Sequence, residues 1–462
     1  MDAKPQPFVP PHPVPRTHIP TRLEVVRTIM RNPLELWGEP SYTRTHISTR
    51  FLNETTLICN HPELIRHVLV DNQANYRMAR VRQLILRPIL RDGLLTAEGE
   101  VWRRSRKAMA PVFTPRHIKG FADMMRARAD SFLDRYRTAQ GTVRDIAHDM
   151  TDLTYEILAT TLFSDEIRTG GMDFADDVDR LLSTMGRVDP LDLLKAPQWV
   201  PRVQRVRGRS TMAKFRKVVR DTIKARRETM RSAPETVHDD FLTLLLRAEG
   251  PDGLTAGEIE DNLITFIGAG HETTARALGW TLYLLANAPH ERVLVEEEIA
   301  AVLADDPPPV EWLDRMPKTR AAFEEAMRLY PPAPSINRMA VNDEVFTFRD
   351  GTQVAIAAGT TVLVMPWVLH RHRMFWDHPN AFQPSRFWPH NRDAIDRFQY
   401  LPFGVGPRVC IGATFALQEA VIALALLLNE FGFEPTPDLA PWPVQKLTVQ
   451  AKDGLPMRVV RR

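Results

Sequence analysis

The 462-residue sequence predicts a mainly α fold with a small β region. From about residue 20 to residue 335, apolar residues recur at three- and four-residue spacing, the period of an amphipathic helix. Strand-like stretches are few and short. No internal repeat or low-complexity linker divides the chain, and 44% hydrophobic with 25% charged residues is an ordinary globular composition with ample material for one large core.

The elements follow in order. Residues 1–20, "MDAKPQPFVPPHPVPRTHIP", form a proline-rich arm expected to lie extended on the surface, and residues 21–462 form a single domain. The helical period predicts helices over 21–32, 61–72, 117–139, 146–163 and 209–231. "TLICN" (56–60), "QVAIAAG" (353–359) and "TVLVMPW" (361–367) read as short strands, and 366–396 as turns rich in Pro, Asp and His.

One long helix is expected over 255–287, and its middle reads "TFIGAGHETTARALGW" (265–280). A mid-helix glycine costs about 1 kcal/mol relative to alanine, so Gly268 and Gly270 mark either a tight helix crossing or the close approach of a flat ligand. Thr273 and Thr274 can bond back to carbonyls four residues earlier, opening a groove at Ala269–Gly270 with Glu272 beside it. His271 reads as a packing residue, as do the histidines of "HRHRMFWDHP" (370–379).

Bulk properties exclude several functions. A formal charge of +3 gives no support for a nucleic-acid partner. The longest apolar run, "AVIALALLL" (420–428), falls short of the roughly 20 residues that cross a bilayer, and no signal peptide is visible, so a cytoplasmic, soluble monomer is expected. The two cysteines, Cys59 and Cys410, belong to no CxxC pair, which argues against a disulfide scaffold or structural zinc. Cys59 lies in an apolar strand and reads as core.

Cys410 sits in "FGVGPRVCIG" (403–412), just before the helix former "ATFALQEAVIALALLL". A thiolate is favoured near a helix N-terminus, and Arg408 adds positive charge. Gly404, Gly406 and Gly412 allow unusual dihedrals and close approach. A buried structural cysteine, a nucleophile and a metal ligand all remain open. A lone cysteine ligand suits haem, whose porphyrin supplies four of the bonds.

At this point the sequence resembles the cytochrome P450 family of haem-thiolate monooxygenases. "FGVGPRVCIG" fits that family's haem loop, FxxGxRxCxG, and "AGHETT" (269–274) its oxygen-activation motif. "EAMR" (325–328) fits ExxR, "FQPSRF" (382–387) fits FxPxRF and "WRRSR" (102–106) fits WxxxR, all in family order. The resemblance implies a P450 fold with haem b between the long central helix and the helix after the cysteine loop. It makes Cys410 the iron ligand, with Phe403 packed near it. Trp102, Arg106, Arg338 and Arg408 become partners of the haem propionates, and Glu325, Arg328 and Arg386 a structural network. Thr273 and Glu272 become the catalytic pair that handles dioxygen and its protons. Ala269 borders the haem. Ile85, Leu86, Leu90, Phe266, Ala269, Pro334 and Ile336, with the turn near "DGLP" (453–456), would line the pocket for a lipophilic small molecule.

The implied reaction inserts one atom of dioxygen into a C–H bond. Only 52 residues follow Cys410, too few for a fused flavin domain, so electrons from NAD(P)H would arrive through a separate ferredoxin or flavodoxin with its reductase. The basic, acid-free stretch "WRRSRKAMAPVFTPRHIK" (102–119) offers a face for such an acidic partner. The competing readings are a haem-thiolate peroxygenase or isomerase, and a haem-based sensor or carrier.

Overall fold

The computed structural model describes residues 6–462 apart from 52–53, 139–140, 166–188, 194–195, 197–198, 201, 239, 252 and 438. The longer helices are α1 (Arg22–Arg31), α2 (Arg80–Leu90), α3 (Gly99–Met109), α4 (Ala122–Thr138), α5 (Ile146–Phe163), α6 (Val203–Ser232), α7 (Ala256–Asn287), α8 (Pro289–Ala304), α9 (Pro317–Leu329) and α10 (Ala413–Glu430). The main sheet joins β1 (His46–Phe51), β2 (Glu54–Cys59), β3 (Tyr76–Met78), β4 (Ile336–Ala340) and β5 (Thr361–Val364) in the order β1-β2-β5-β4-β3. Only β2 and β5 run parallel.

Helix α7 is the axis of the molecule. Thr255 opens it with a capping box: its hydroxyl accepts the Glu258 N–H at 3.2 Å, and Glu258 accepts the Thr255 N–H at 2.8 Å. Arg104 of α3 pairs with the same Glu258 and ties the two helices together. Beyond the cap, α7 is buried on almost every side. Helix α5 crosses it where the Thr154 hydroxyl donates to the His271 carbonyl at 3.1 Å. A Cβ on Gly270 would lie 2.4 Å from the Leu158 methyl, so this glycine serves the helix crossing. Trp280 of α7 stacks on Tyr330 at 3.8 Å, joining the helical core to the end of α9.

The proline-rich arm runs along the surface, with Val9, Val14 and Ile19 exposed, and is anchored at a few points. Pro10 and Pro13 are buried, and the Phe8 ring meets Tyr283 edge-on. The Tyr330 hydroxyl donates to the Pro11 carbonyl at 2.7 Å, which satisfies a phenol otherwise sealed in the core. Cys59 is fully buried, and burial pushes its thiol far up. Among the described residues, α10 is the helix long and apolar enough to cross a membrane, but it packs its apolar surface into the protein core.

Candidate active site

The loop carrying Cys410 is held at both ends. The Cys410 N–H donates to the Phe403 carbonyl at 2.9 Å, closing the loop on itself. Gly404 and Gly406 adopt φ of +71° and +78°, which side-chain-bearing residues rarely take. A Cβ on Gly406 would fall 2.2 Å from the Leu69 carbonyl oxygen, so only glycine fits there. Gly412 caps α10, two residues after Cys410.

Cys410 is exposed, yet protein surrounds it, so it forms a wall of an internal slot. Burial raises its thiol, while the Gly412 N–H and the Arg106 guanidinium pull it down. The expectation that the helix end would favour the thiolate is therefore outweighed by burial in this arrangement. In α7, Ala269 is exposed, and Gly270 and Thr273 are half-buried, in a helix otherwise packed shut. The Thr273 hydroxyl donates to the Ala269 carbonyl at 2.9 Å, the back-bond expected from sequence.

Cations border the slot without acids to match. Arg106 donates to the Val409 carbonyl at 3.0 Å, and Arg408 to the Ala97 carbonyl at 2.9 Å while its guanidinium lies 4.7 Å from the Trp102 ring centre. The Arg338 side chain donates to the Asn337 carbonyl at 3.1 Å. Burial, reinforced by repulsion from Arg82 and Arg408, lowers Arg338 to about 10. Arg82, Arg106, Arg338 and Arg408 are half-buried, and none has a carboxylate at ion-pair distance among the described residues. A ligand bearing its own carboxylates would supply them. A dianion edged by these guanidiniums would fit the donor set.

The Glu325–Arg328 pair is completely buried in α9. Arg328 donates to Glu325 through Nε at 2.7 Å and Nη2 at 2.8 Å, and to the carbonyls of His370, Pro379 and Ala381. Glu325 also accepts the Gln383 N–H at 2.9 Å, with Arg386 Nε at 3.5 Å. From there a chain of bonds reaches the cysteine loop. His370 Nε2 accepts the Leu401 N–H at 2.8 Å, and the Leu401 carbonyl accepts the Gly404 N–H at 3.2 Å.

The structure redistributes several residues expected at the pocket. Leu86 and Leu90 point into the packed core, because the helical period of α2 puts them with Ile89 on its buried stripe. Ile85, half-buried, is the member of that run with free surface. Phe266 is stacked among Phe113 and Phe241. Pro334 is buried, and Ile336 lies 3.8 Å from where a Gly404 Cβ would stand, against the cysteine loop. The 453–456 turn does not reach this region: Leu455 packs on Gly279, ten residues or about 15 Å along α7 from Ala269. The turn at 446–448 comes there instead, where Thr448 donates to Glu272 at 2.6 Å. Glu272 is buried, with Arg276 at 3.9 Å.

Sequence reasoning missed two buried groups. His370 read as an ordinary turn histidine. Glu419, on α10 beside Thr274, is a completely buried carboxyl whose two oxygens have no hydrogen-bond partner within distance among the described residues. Burial drives it far up, against a smaller opposing pull from the Thr274 hydroxyl. Its signal in sequence is a lone Glu inside an apolar helix, "FALQEAVIAL".

The sequence profile of the family described as cytochrome P450 matches residues 42–456. The chain is a cytochrome P450. This P450 is 30% identical to pentalenene oxygenase of Streptomyces avermitilis, over 94% of each chain. It is 28% identical to the protein LUTEIN DEFICIENT 5, chloroplastic, of Arabidopsis thaliana, over 88% of this chain and 70% of that one. Among solved structures it superposes on the cytochrome P450 CYP102L1 with a TM-score of 0.79 and 26% identity, covering 98% of this chain and all of that one. The haem domain of cytochrome P450DA gives 0.80 at the same identity, with 98% of both chains covered. As a P450 the protein is a haem-thiolate monooxygenase of mainly α architecture, and its chemistry requires haem, a source of electrons and an organic substrate.

Proposed function

We propose that this P450 hydroxylates a lipophilic small molecule in the slot between Cys410 and Ala269, with electrons from NAD(P)H delivered by a separate ferredoxin or flavodoxin and its reductase. The observation that carries the reading is that Cys410, in its glycine loop, and Ala269, in an otherwise packed helix, are both exposed. Haem bound there supplies dioxygen activation. Cys410 would supply the thiolate ligand to its iron, and Arg106, Arg338 and Arg408, with Trp102 beneath Arg408, would hold its carboxylates. The Thr273 hydroxyl, now bonded to the Ala269 carbonyl, turns to hold a proton at Oγ1 over the slot. Glu272, bonded to Thr448, takes protons from the 446–448 turn and passes them toward Thr273. The apolar residues around Ile85 exclude water. Glu325, Arg328 and Arg386 keep the cysteine loop in position.

The same reading makes residues 21–462 one catalytic domain behind an N-terminal arm and places the enzyme in the cytoplasm as a bacterial-type monomer. The reading is tested by reconstituting the haem-loaded protein with ferredoxin and ferredoxin reductase and screening lipophiles for displacement of iron-bound water. Substrate oxidation with the partners but not with peroxide is expected. Turnover with peroxide alone would favour the peroxygenase reading instead.

A further inference from the structure

Six arginines are more than nine-tenths buried among the described residues, and five of them face a carboxylate. Arg328 is paired with Glu325 at 2.7 Å, Arg226 with Asp240 at 2.6 Å, Arg202 with Asp192 at 3.1 Å and Arg216 with Asp261 at 2.9 Å, while Arg276 lies 3.9 Å from Glu272. The sixth, Arg371, is only 3% exposed and has no carboxylate at ion-pair distance among the described residues. Its Nε and Nη2 have no hydrogen-bond partner among those residues, and Nη1 makes one long bond, to the Trp367 carbonyl at 3.4 Å. Burial lowers the guanidinium to about 10, which leaves it charged at neutral pH.

Arg371 stands just past the short helical turn Pro366–Leu369, which follows β5. Its guanidinium lies 3.9 Å from the Trp367 ring centre and 5.8 Å from that of Tyr330, so aromatic faces offset part of the charge without balancing it. The Trp367 indole N–H, fully buried, also lacks an acceptor among the described residues. Tyr42 is buried in the same place, and its phenol feels the Arg371 charge. The N-terminal arm reaches this group too. His12, bonded to the Pro10 carbonyl at 2.8 Å, feels the same charge, and Tyr330 holds the Pro11 carbonyl. Glu325, the acid that acts on Arg371, is already bound to Arg328 and to the Gln383 N–H. The neighbourhood is rich in donors and short of negative charge. Water would satisfy the N–H groups but not the charge.

We propose that Arg371 holds one small monovalent anion, of chloride size, in an internal site beside the N-terminal arm. Arg371 Nε and Nη2 and the Trp367 indole N–H are its donors. A halide accepts several N–H bonds at once and brings the negative charge that the other five buried arginines draw from Asp or Glu. One guanidinium balances one charge, so a monovalent ion suits the site better than phosphate or sulfate. The site is separate from the slot: the groups that act on Arg371 are Tyr330, Tyr42, Arg328 and Glu325, not Arg106, Arg338 or Arg408. The ion is structural. It fixes Arg371 next to His370, whose ring holds the Leu401 N–H, and relieves the repulsion between Arg371 and His12 of the arm.

The test melts the haem-loaded protein in mixtures of potassium gluconate and potassium chloride at constant ionic strength. Chloride is expected to raise the melting temperature by a few degrees, with a response that follows the filling of a single site. Arg371→Met, which removes the charge, is expected to melt at the same temperature in both salts. Crystals of the parent grown in sodium bromide are expected to show an anomalous peak at hydrogen-bond distance from Arg371, a result that decides the matter even where the variant fails to fold. A parent melting temperature indifferent to the anion, an equal response in the variant, or water in place of bromide overturns the site.

Discussion

His370 Nε2 accepts the backbone N–H of Leu401 at 2.8 Å, inside a region with no access to water. The bond requires a neutral imidazole. Burial first, then the charges of Arg328 and Arg371, lower His370 to about 3. The folded state therefore refuses a proton that the unfolded chain accepts below its ordinary value of 6.5. The stabilisation is complete above that value and is lost as pH falls toward about 3, with a slope of up to about 1.4 kcal/mol per pH unit from this group. Urea unfolding of the parent and of His370→Gln, whose amide oxygen can accept the same bond, is expected to show a flatter acid limb in the variant.

Breaking the buried Glu325–Arg328 pair on one side leaves an uncompensated charge. Glu325→Ala is expected to cost about 3–5 kcal/mol and to yield protein with little or no bound haem. The double variant Glu325→Leu, Arg328→Met is expected to recover much of that stability without recovering haem, because the bonds to the carbonyls of His370 and Pro379 are still missing. Denaturation curves and the ratio of haem to protein absorbance check both.

Cys410→Ser is expected to abolish the strongly red-shifted Soret band of the reduced, carbon-monoxide-bound protein. A parental band in this variant would place the axial ligand elsewhere.

Thr273→Ala removes the hydroxyl now bonded to Ala269 while leaving the walls of the slot in place. Reductant consumption is expected to continue near the parental rate, with a larger share of electrons recovered as hydrogen peroxide. Product and peroxide per NAD(P)H are the quantities to compare.

Glu419 keeps its proton in the folded state because burial raises it far above its ordinary 4.5. That contribution is full below the ordinary value and is lost as pH rises through the raised one. Glu419→Gln mimics the protonated form, so it is expected to match the parent in acid and to gain stability over it as pH climbs above 4.5. Melting temperatures across that range test the sign.

The long helix was legible in the sequence almost to the residue, because Thr255 and Glu258 form a cap and the apolar pattern beyond it is continuous. The cysteine loop was legible because its glycines are demanded by positive φ and by the Leu69 carbonyl. The pocket was less so. Periodicity says which face of α2 is apolar but not whether core or cavity lies opposite, so Leu86 and Leu90 looked the same as Ile85. Contacts between distant segments, such as Thr448 with Glu272 or His370 with Leu401, leave no local pattern at all.

Gly406 is clamped against Leu69, and Arg408 reaches Ala97, while the cysteine between them and α10 belongs to the last sixth of the chain. Early and late segments must therefore both have left the ribosome before the thiol can be presented. Capture of the pigment is in this sense the final act of biosynthesis, and a nascent chain arrested before residue 410 would be colourless however well its early helices had formed.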